Sequence, residues 1–494
     1  MLVNCWGLYT KSFSKSRRET GTRINKNLRR WALICVLIML YVDVVAAQLH
    51  SRATISVSNT REIKVEADLS TPIRSWSFRN AYAGVLGIAE RVYDFRAITR
   101  SGEDARGRKI ATGEFRSELE ATRITYKVKV SEPTAASVSH VSWVSSDDGF
   151  LMLADLLPQE FTNLSIRFVL PVGWQIESSP ARTGDAVYEV EVPEKAVFVV
   201  GRSLRKTSTT IDGMPLDLVL SGAWGFKESD TLKTAGKVMK KYLELTGSRL
   251  QGRSTIMIVP LPVAAGSTKW RAETRGSTVV LLIDPAADFK NWIGQLGVIF
   301  THELLHLWVP NSLRFDGDYD WFFEGFTLYT ALRTALELKI INFKEFLDTL
   351  ARVYDSYLSY ADDLSLVEAS ERRWTTPGSF VYDKGMLVAF IYDLLVRKES
   401  GGKTTLAGKY RKLFSRPAAD HENGNDVIIA VLGSSHGVND FTKTYIENST
   451  KLELERLLPA YGLTLDSSGR SSRLRVSREL TPDQKRLLRS LGFG

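Results

Sequence analysis

Hydrophobic and polar residues follow two different periods along the chain, and the change falls near Gly222. From Ala53 to about Leu220, short runs alternate apolar and polar positions: TISVS, IKVEADL, ITYKVKV, LSIRFVLPV, AVYEVEV and KAVFVVG. Successive side chains of a strand point to opposite faces, so a period of two buries one face of each run. With Gly, Pro, Asn and Ser between the runs, the pattern predicts an antiparallel β-sandwich. After Gly222 the apolar positions recur at helical spacing. LKTAGKVMKKYLELTG reads as an amphipathic helix, STIMIVPLP and STVVLLIDP as buried strands, and FKNWIGQLGVIFTHELLHLWV as a long buried helix. ALRTALELKII, FKEFLDTLARVYDSYLSYA, KGMLVAFIYDLLVR and AGKYRKLF continue as helices with no long strand between them. The expected class is α+β: an N-terminal sandwich, then a small sheet packed on a buried helix, then a helical lobe.

The long helix contains THELLHLWVPN, residues 301 to 311. Four residues apart on a helix, His302 and His306 project from one face, so their imidazoles can converge on one metal ion. Glu303 lies between them, beside the metal. WFFEGFTLY, residues 321 to 329, reads as a second apolar helix and carries Glu324 as the third ligand. Two His, one carboxylate and a second carboxylate able to take a proton make the donor set of a zinc hydrolase, with one zinc ion per chain. A packed His pair beside an exposed Glu is the plain alternative. The apolar flanks GVIF and LWV favour a buried site instead.

Composition narrows the partners. The chain has 494 residues, 44% hydrophobic and 24% charged, which suits a globular protein of two or three domains. Of the net charge of +9, residues 1–47 carry +6 and residues 466–494 carry +4, which leaves the middle at −1. A nucleic-acid partner would want a basic face there, so none is expected.

Residues 1–47 read as a signal peptide or signal anchor. A basic run ends in Leu28, Arg29 and Arg30, the apolar core runs from Trp31 to Val42, and Val45, Ala46 and Ala47 offer a cleavage site before Gln48. That core falls short of the roughly 20 residues that span a bilayer. Export to the periplasm or the exterior follows, with membrane attachment only if the leader stays as an anchor or the basic tail binds lipid. A solvated tail is the plainer reading of residues 466–494. Both cysteines, Cys5 and Cys35, lie in the leader, so the mature chain has nitrogen and oxygen ligands only. Nothing in the pattern fixes an oligomeric state.

Other chemistry is weaker. GSSHG, residues 433–437, matches a nucleophile elbow centred on Ser435, but that fold needs a His further along the chain, and the last one is His436. His140 stands alone among the strand-like runs and reads as structural. A catalytically silent binding module built on the same scaffold is the alternative to an enzyme.

The motif resembles the gluzincin metallopeptidases, whose thermolysin-like catalytic domain takes its third ligand from a Glu on the next helix. Aminopeptidase N-like members carry Trp and Asn two and five residues after the second His, positions held here by Trp308 and Asn311, and then a NEGF-like segment. Here Glu324 comes after seventeen residues, one fewer than in those members. The chain is also similar to the glycyl aminopeptidase family that usually carries a PDZ domain. That likeness rests on HExxH followed by LW, the EGFT segment, Tyr382-Asp383-Lys384-Gly385 with MLVAFIYDLLVR, and YIENSTKLELERLLPAYGL, together covering roughly residues 290–465. No PDZ domain follows. The resemblance implies that Tyr382 donates to the oxyanion opposite the metal. Glu273 in WRAETRG stands near the position where aminopeptidase N-like enzymes bind the substrate amine, although Arg271 and Arg275 beside it suit an ordinary surface pair. Thr327, one turn past Glu324, is a candidate to orient an imidazole, and Asn311 to tie the loop after the metal helix to nearby backbone. The resulting layout is a sandwich over 48–221, a thermolysin-like domain over 222–465 and a basic tail over 466–494. The resemblance implies peptide or protein substrates, with the choice between aminopeptidase and endopeptidase left open.

Overall fold

The computed structural model describes residues 51–494, apart from segments 60–61, 131–132, 136, 263–268, 287–291, 314, 362–363, 374–378, 418–420 and 435–436. The expected leader, with Cys5, Cys35 and the expected cleavage position, therefore lies outside the described residues, as do Ser435 and His436 of the elbow-like motif.

Residues 51–494 form one compact unit. Its first sheet has eight strands. Seven follow the order Ala181–Gly184, Val187–Val190, Leu164–Val169, Ser51–Asn59, Glu62–Ser77, Glu114–Lys129 and Val92–Ile98, and Arg108–Ala111 pairs beside Glu114–Lys129. The period of two is visible in burial: Ile63, Val65 and Ala67 are buried, whereas Lys64, Glu66 and Asp68 are exposed. A four-stranded sheet, Gln175–Ser178, Val197–Gly201, Asp148–Met152 and Trp143–Val144, lies in a separate ladder. The expected antiparallel pairing holds for most neighbours, but Ser51–Asn59 runs parallel to Leu164–Val169. Alternation records which face is buried and says nothing about strand direction.

The expected boundary at 221 needs correction. Leu204–Ile211 and Met214–Ser221 do not belong to the sandwich; they begin a five-stranded sheet continued by Ser254–Pro260, Thr278–Ile283 and the edge strand Trp270–Arg275. Met214–Ser221 pairs parallel with Ser254–Pro260 and is buried on both faces over most of its length, as strands inside an α/β layer are. One face of this sheet, with Leu218, Leu220, Ile256, Ile258, Val279 and Leu281, joins the core of the helices. The opposite face, with Val219, Met257, Val280 and Leu282, packs on Trp143, Phe150, Val197 and Val199 of the four-stranded sheet. The two regions thus share a core.

The helices follow: Glu228–Thr246, Trp292–His306, Thr327–Glu337, Phe343–Leu358, Phe380–Glu399 and Leu406–Phe414. Short ladders interrupt the expected all-helical stretch, pairing Phe315–Asp316 with Glu422–Asn423 and Leu463–Asp466 with Arg473–Val476. Residues 466–494 are not a solvated tail. Pro482–Ser490 is a helix with a capping box at Thr481, Leu487, Leu488 and Leu491 are buried, and Arg333 and Arg397 donate to the Leu491 and Ser490 carbonyls. Its three leucines supply the apolar stripe that the charge count obscures. Among the described residues, no helix is long and apolar enough to cross a membrane.

Candidate active site

Trp292–His306 is anchored before it presents any chemistry. Tyr242 donates to the Thr301 carbonyl (2.7 Å), and Trp308, just past the helix, donates its indole N–H to Ser248 O (2.7 Å). Last-turn carbonyls of a helix lack intrahelical partners, and Asn311 Nδ2 donates to one of them, His306 O (2.7 Å). Asn311 therefore braces the ligand helix through its backbone.

The second element is a π-helical turn, Trp321–Phe326, running directly into Thr327–Glu337. Such turns are rare and concentrate at functional sites. Its placement depends on two glycines. A Cβ on Gly325 would stand 2.5 Å from Gly385 Cα, and one on Gly385 would stand 2.9 Å from Gly325 Cα and from Trp321 O. Only glycine allows the π turn and the helix Phe380–Glu399 to cross this closely. The crossing sets Glu324 and Tyr382 near each other.

At the convergence, His302 Nε2 and His306 Nε2 lie 3.0 Å apart, and Glu324 Oε2 lies 3.4 and 3.3 Å from them. All three side chains are buried, and their ligand atoms fall within 4.8 Å of one another. The outer nitrogens are already engaged. His306 Nδ1 meets Val309 O at 2.8 Å, and His302 Nδ1 faces Thr327 Oγ1 at 3.4 Å. The Thr327 hydroxyl has its proton committed to the Phe323 and Glu324 carbonyls, so its lone pairs face the imidazole. Both rings are thereby set to aim Nε2 inward, since a partner on the outer nitrogen fixes the tautomer and orientation that a metal-binding His needs. Two nitrogens and one carboxylate oxygen fit zinc. Burial opposes the charge on Glu324, but His306, His302 and Arg373 outweigh it and hold the carboxyl well below the usual range.

Glu303 is buried beside this group, and Thr274 of the edge strand donates to its Oε2 at 2.7 Å. Burial raises the Glu303 pKa, partly offset by the two imidazoles and by Thr274. Tyr382 is pushed well above the ordinary phenol value, chiefly by burial and then by the Glu324 charge, so it stays protonated. Arg373 Nη2 donates both to Tyr382 Oη (2.7 Å) and to Glu324 Oε1 (2.9 Å), and its Nη1 pairs with Asp320.

Glu273 belongs to the same edge strand but to a different cluster. It accepts from Tyr82 Oη and Arg275 Nε, both at 2.8 Å, and its Oε2 lies 3.0 Å from His140 Nδ1. The surface pair expected there is instead a buried one, with Arg275 8% and Glu273 14% exposed, and Arg271 turns away to Ala135 O. His140 is tied into this cluster, whereas His421 is exposed against Asp316.

Thr274 and Arg373 escape a reading of motifs, as does the contact between Gly325 and Gly385. Arg373 sits next to Arg372, which pairs with Glu368 on the surface, and nothing in their order separates the two roles.

No known protein-family profile matches the chain, and no curated protein matches it in sequence. Solved structures do. An aminopeptidase N family protein from Idiomarina loihiensis superposes with a TM-score of 0.70 at 18% identity, covering 85% of this chain and 81% of that one. An M1 zinc metallopeptidase from Deinococcus radiodurans superposes with a TM-score of 0.52 at 12% identity, covering 82% of this chain and 95% of that one. A mutant of the Deinococcus protein bound to a Tyr-Ser-Ala substrate matches equally, with a TM-score of 0.52 at 12% identity and the same coverage. At these identities the likeness establishes a shared architecture: the chain has the fold of the M1 zinc metallopeptidases.

Proposed function

We propose that the protein is a zinc-dependent peptidase of the gluzincin type, exported, and acting on peptide or protein substrates. The observation that carries this reading is the convergence of His302, His306 and Glu324 in one buried group, with Glu303 and Tyr382 beside it. A zinc ion held by those three side chains supplies Lewis acidity, drawing the pKa of water from about 15.7 toward 7 and polarising a carbonyl. Glu303 takes the proton of the attacking water and passes it to the leaving amine. Its raised pKa brings the carboxylate closer to working pH, where such proton exchange is most effective. Tyr382, kept protonated by its surroundings, donates a hydrogen bond to the developing oxyanion. A silent binding module would leave the buried Glu303 and its Thr274 partner without a role.

Glu303→Gln tests this assignment. The variant is expected to keep a single zinc per chain while kcat falls about 10²–10⁴-fold; undiminished turnover would remove the base. The finer reading is an aminopeptidase, in which Glu273 would meet the substrate amine. Its carboxylate is already engaged by Tyr82, Arg275 and His140, so a substrate amine would have to compete with them. Aminoacyl reporters compared with N-blocked peptides decide between the two: cleavage of the blocked set alone rejects the aminopeptidase.

A further inference from the structure

We infer that Arg373 is the positioning residue of this site, coupling the metal-ligand carboxylate to the oxyanion donor; the inference rests on the zinc-peptidase reading. The geometry divides Glu324 by atom. Oε2 faces the two imidazole Nε2 atoms at 3.3–3.4 Å, while Oε1 accepts from Arg373 Nη2 at 2.9 Å. One oxygen is thereby left for a metal and the other is held from behind, which favours ligation through a single oxygen.

The same Nη2 carries two protons, and the second goes to Tyr382 Oη at 2.7 Å. That bond fills a lone pair of the phenol oxygen and leaves Tyr382 to act as a donor, towards Glu324 in this structure and towards a substrate oxyanion during turnover. A cationic donor on the oxygen also polarises the O–H bond and makes it a stronger donor. The third contact, Nη1 to Asp320, anchors the guanidinium from the start of the π turn. The guanidinium also lies against the Phe323 and Tyr382 rings, 5.7 and 5.5 Å from their centroids. Asp320 and Glu324 are both buried carboxylates in this small volume, and Arg373 is the cation between them.

A planar fork can span Asp320 on one nitrogen and the Glu324–Tyr382 pair on the other; a lysine ammonium is a point charge that cannot hold all three in register. Arg373→Lys therefore keeps the charge and loses the geometry.

The test compares wild type, Arg373→Lys, Tyr382→Phe and the double variant. It measures zinc affinity by competition with a chelating dye, kcat and KM on a cleaved peptide, and thermal unfolding. Arg373→Lys is expected to weaken zinc binding and lower kcat by about 10–100-fold each, with KM changed less than about twofold. In the Tyr382→Phe background the same substitution should cost kcat much less, because its route through the phenol is gone. A merely structural role would lower unfolding temperature without that non-additivity. Should Arg373→Lys fail to fold, Asp320→Asn, which loosens the guanidinium without touching Glu324, is expected to weaken zinc binding in the same direction. Wild-type zinc affinity and kcat in both variants overturn the proposal, as does full additivity with Tyr382→Phe. Zinc binding without any hydrolysis by the wild type rejects the peptidase reading alone, because the affinity comparison still judges Arg373.

Discussion

Glu273 illustrates how far a residue's neighbours alter its meaning. Between two arginines in sequence it resembles a surface ion pair, which contributes about 0–1 kcal/mol. In the fold, Tyr82 and His140 arrive from the sandwich side, and the Arg275 guanidinium lies 4.3 Å from the Tyr82 ring centroid. Burial raises the Glu273 pKa, but Arg275, His140 and Tyr82 outweigh it and leave it below the usual carboxylate value of 4.5. A carboxyl depressed in the folded state stabilises the protein above its unfolded pKa and loses that contribution as pH falls through the folded one. Glu273→Ala should therefore cost roughly 3–5 kcal/mol at pH 7 by stranding Arg275, and the difference from wild type should shrink below pH 4.5. Denaturant unfolding of both proteins at pH 7 and below 4.5 checks it; a pH-independent difference would contradict the clamp.

At the scale of elements, the EG of FEGFT and the KG of YDKG turn out to be two halves of one contact. Motif reading recovers both dipeptides, yet only the crossing of the π turn with Phe380–Glu399 explains why each needs glycine. Gly325→Ala is expected to destabilise by at least about 1–3 kcal/mol, the usual range for overpacking, and to weaken zinc binding because Glu324 is the adjacent residue. Gly408 is the control: it lies in the helix Leu406–Phe414 with nothing within 4 Å of an added Cβ, so Gly408→Ala should be neutral or stabilising by about 0.4–1 kcal/mol. Equal unfolding midpoints for the two variants would contradict this account of the crossing. Helices and buried strands around the motif were legible because their apolar spacing is strong: LKTAGKVMKKYLELTG matches Glu228–Thr246, and STVVLLIDP matches Thr278–Ile283. The edge strand Trp270–Arg275 was not. Its WRAETR is too polar to register as apolar alternation, though it delivers Thr274 to Glu303.

For the whole molecule, what sequence conveys is local order, and what it withholds is partnership between distant segments. His302, Glu303 and His306 are fixed by one helix and could be read from it, and Glu324 from the helix that follows. Arg373 and Thr274 reach the site through tertiary packing, across 49 and 29 residues of separation from their acidic partners. The misplaced boundary at 221 has the same origin, because the apolar run MPLDLVLS does not declare which sheet it joins. Those assignments matter to function, since the shared core of Trp143, Phe150, Met257 and Val280 ties the sandwich to the sheet that carries Thr274. The most direct measurement is peptide hydrolysis by the purified protein before chelation, after chelation, and after zinc is restored. The expected result is cleavage that is lost with the metal and returns with it; cleavage that survives complete zinc removal, or none from the zinc-loaded protein, contradicts the assignment.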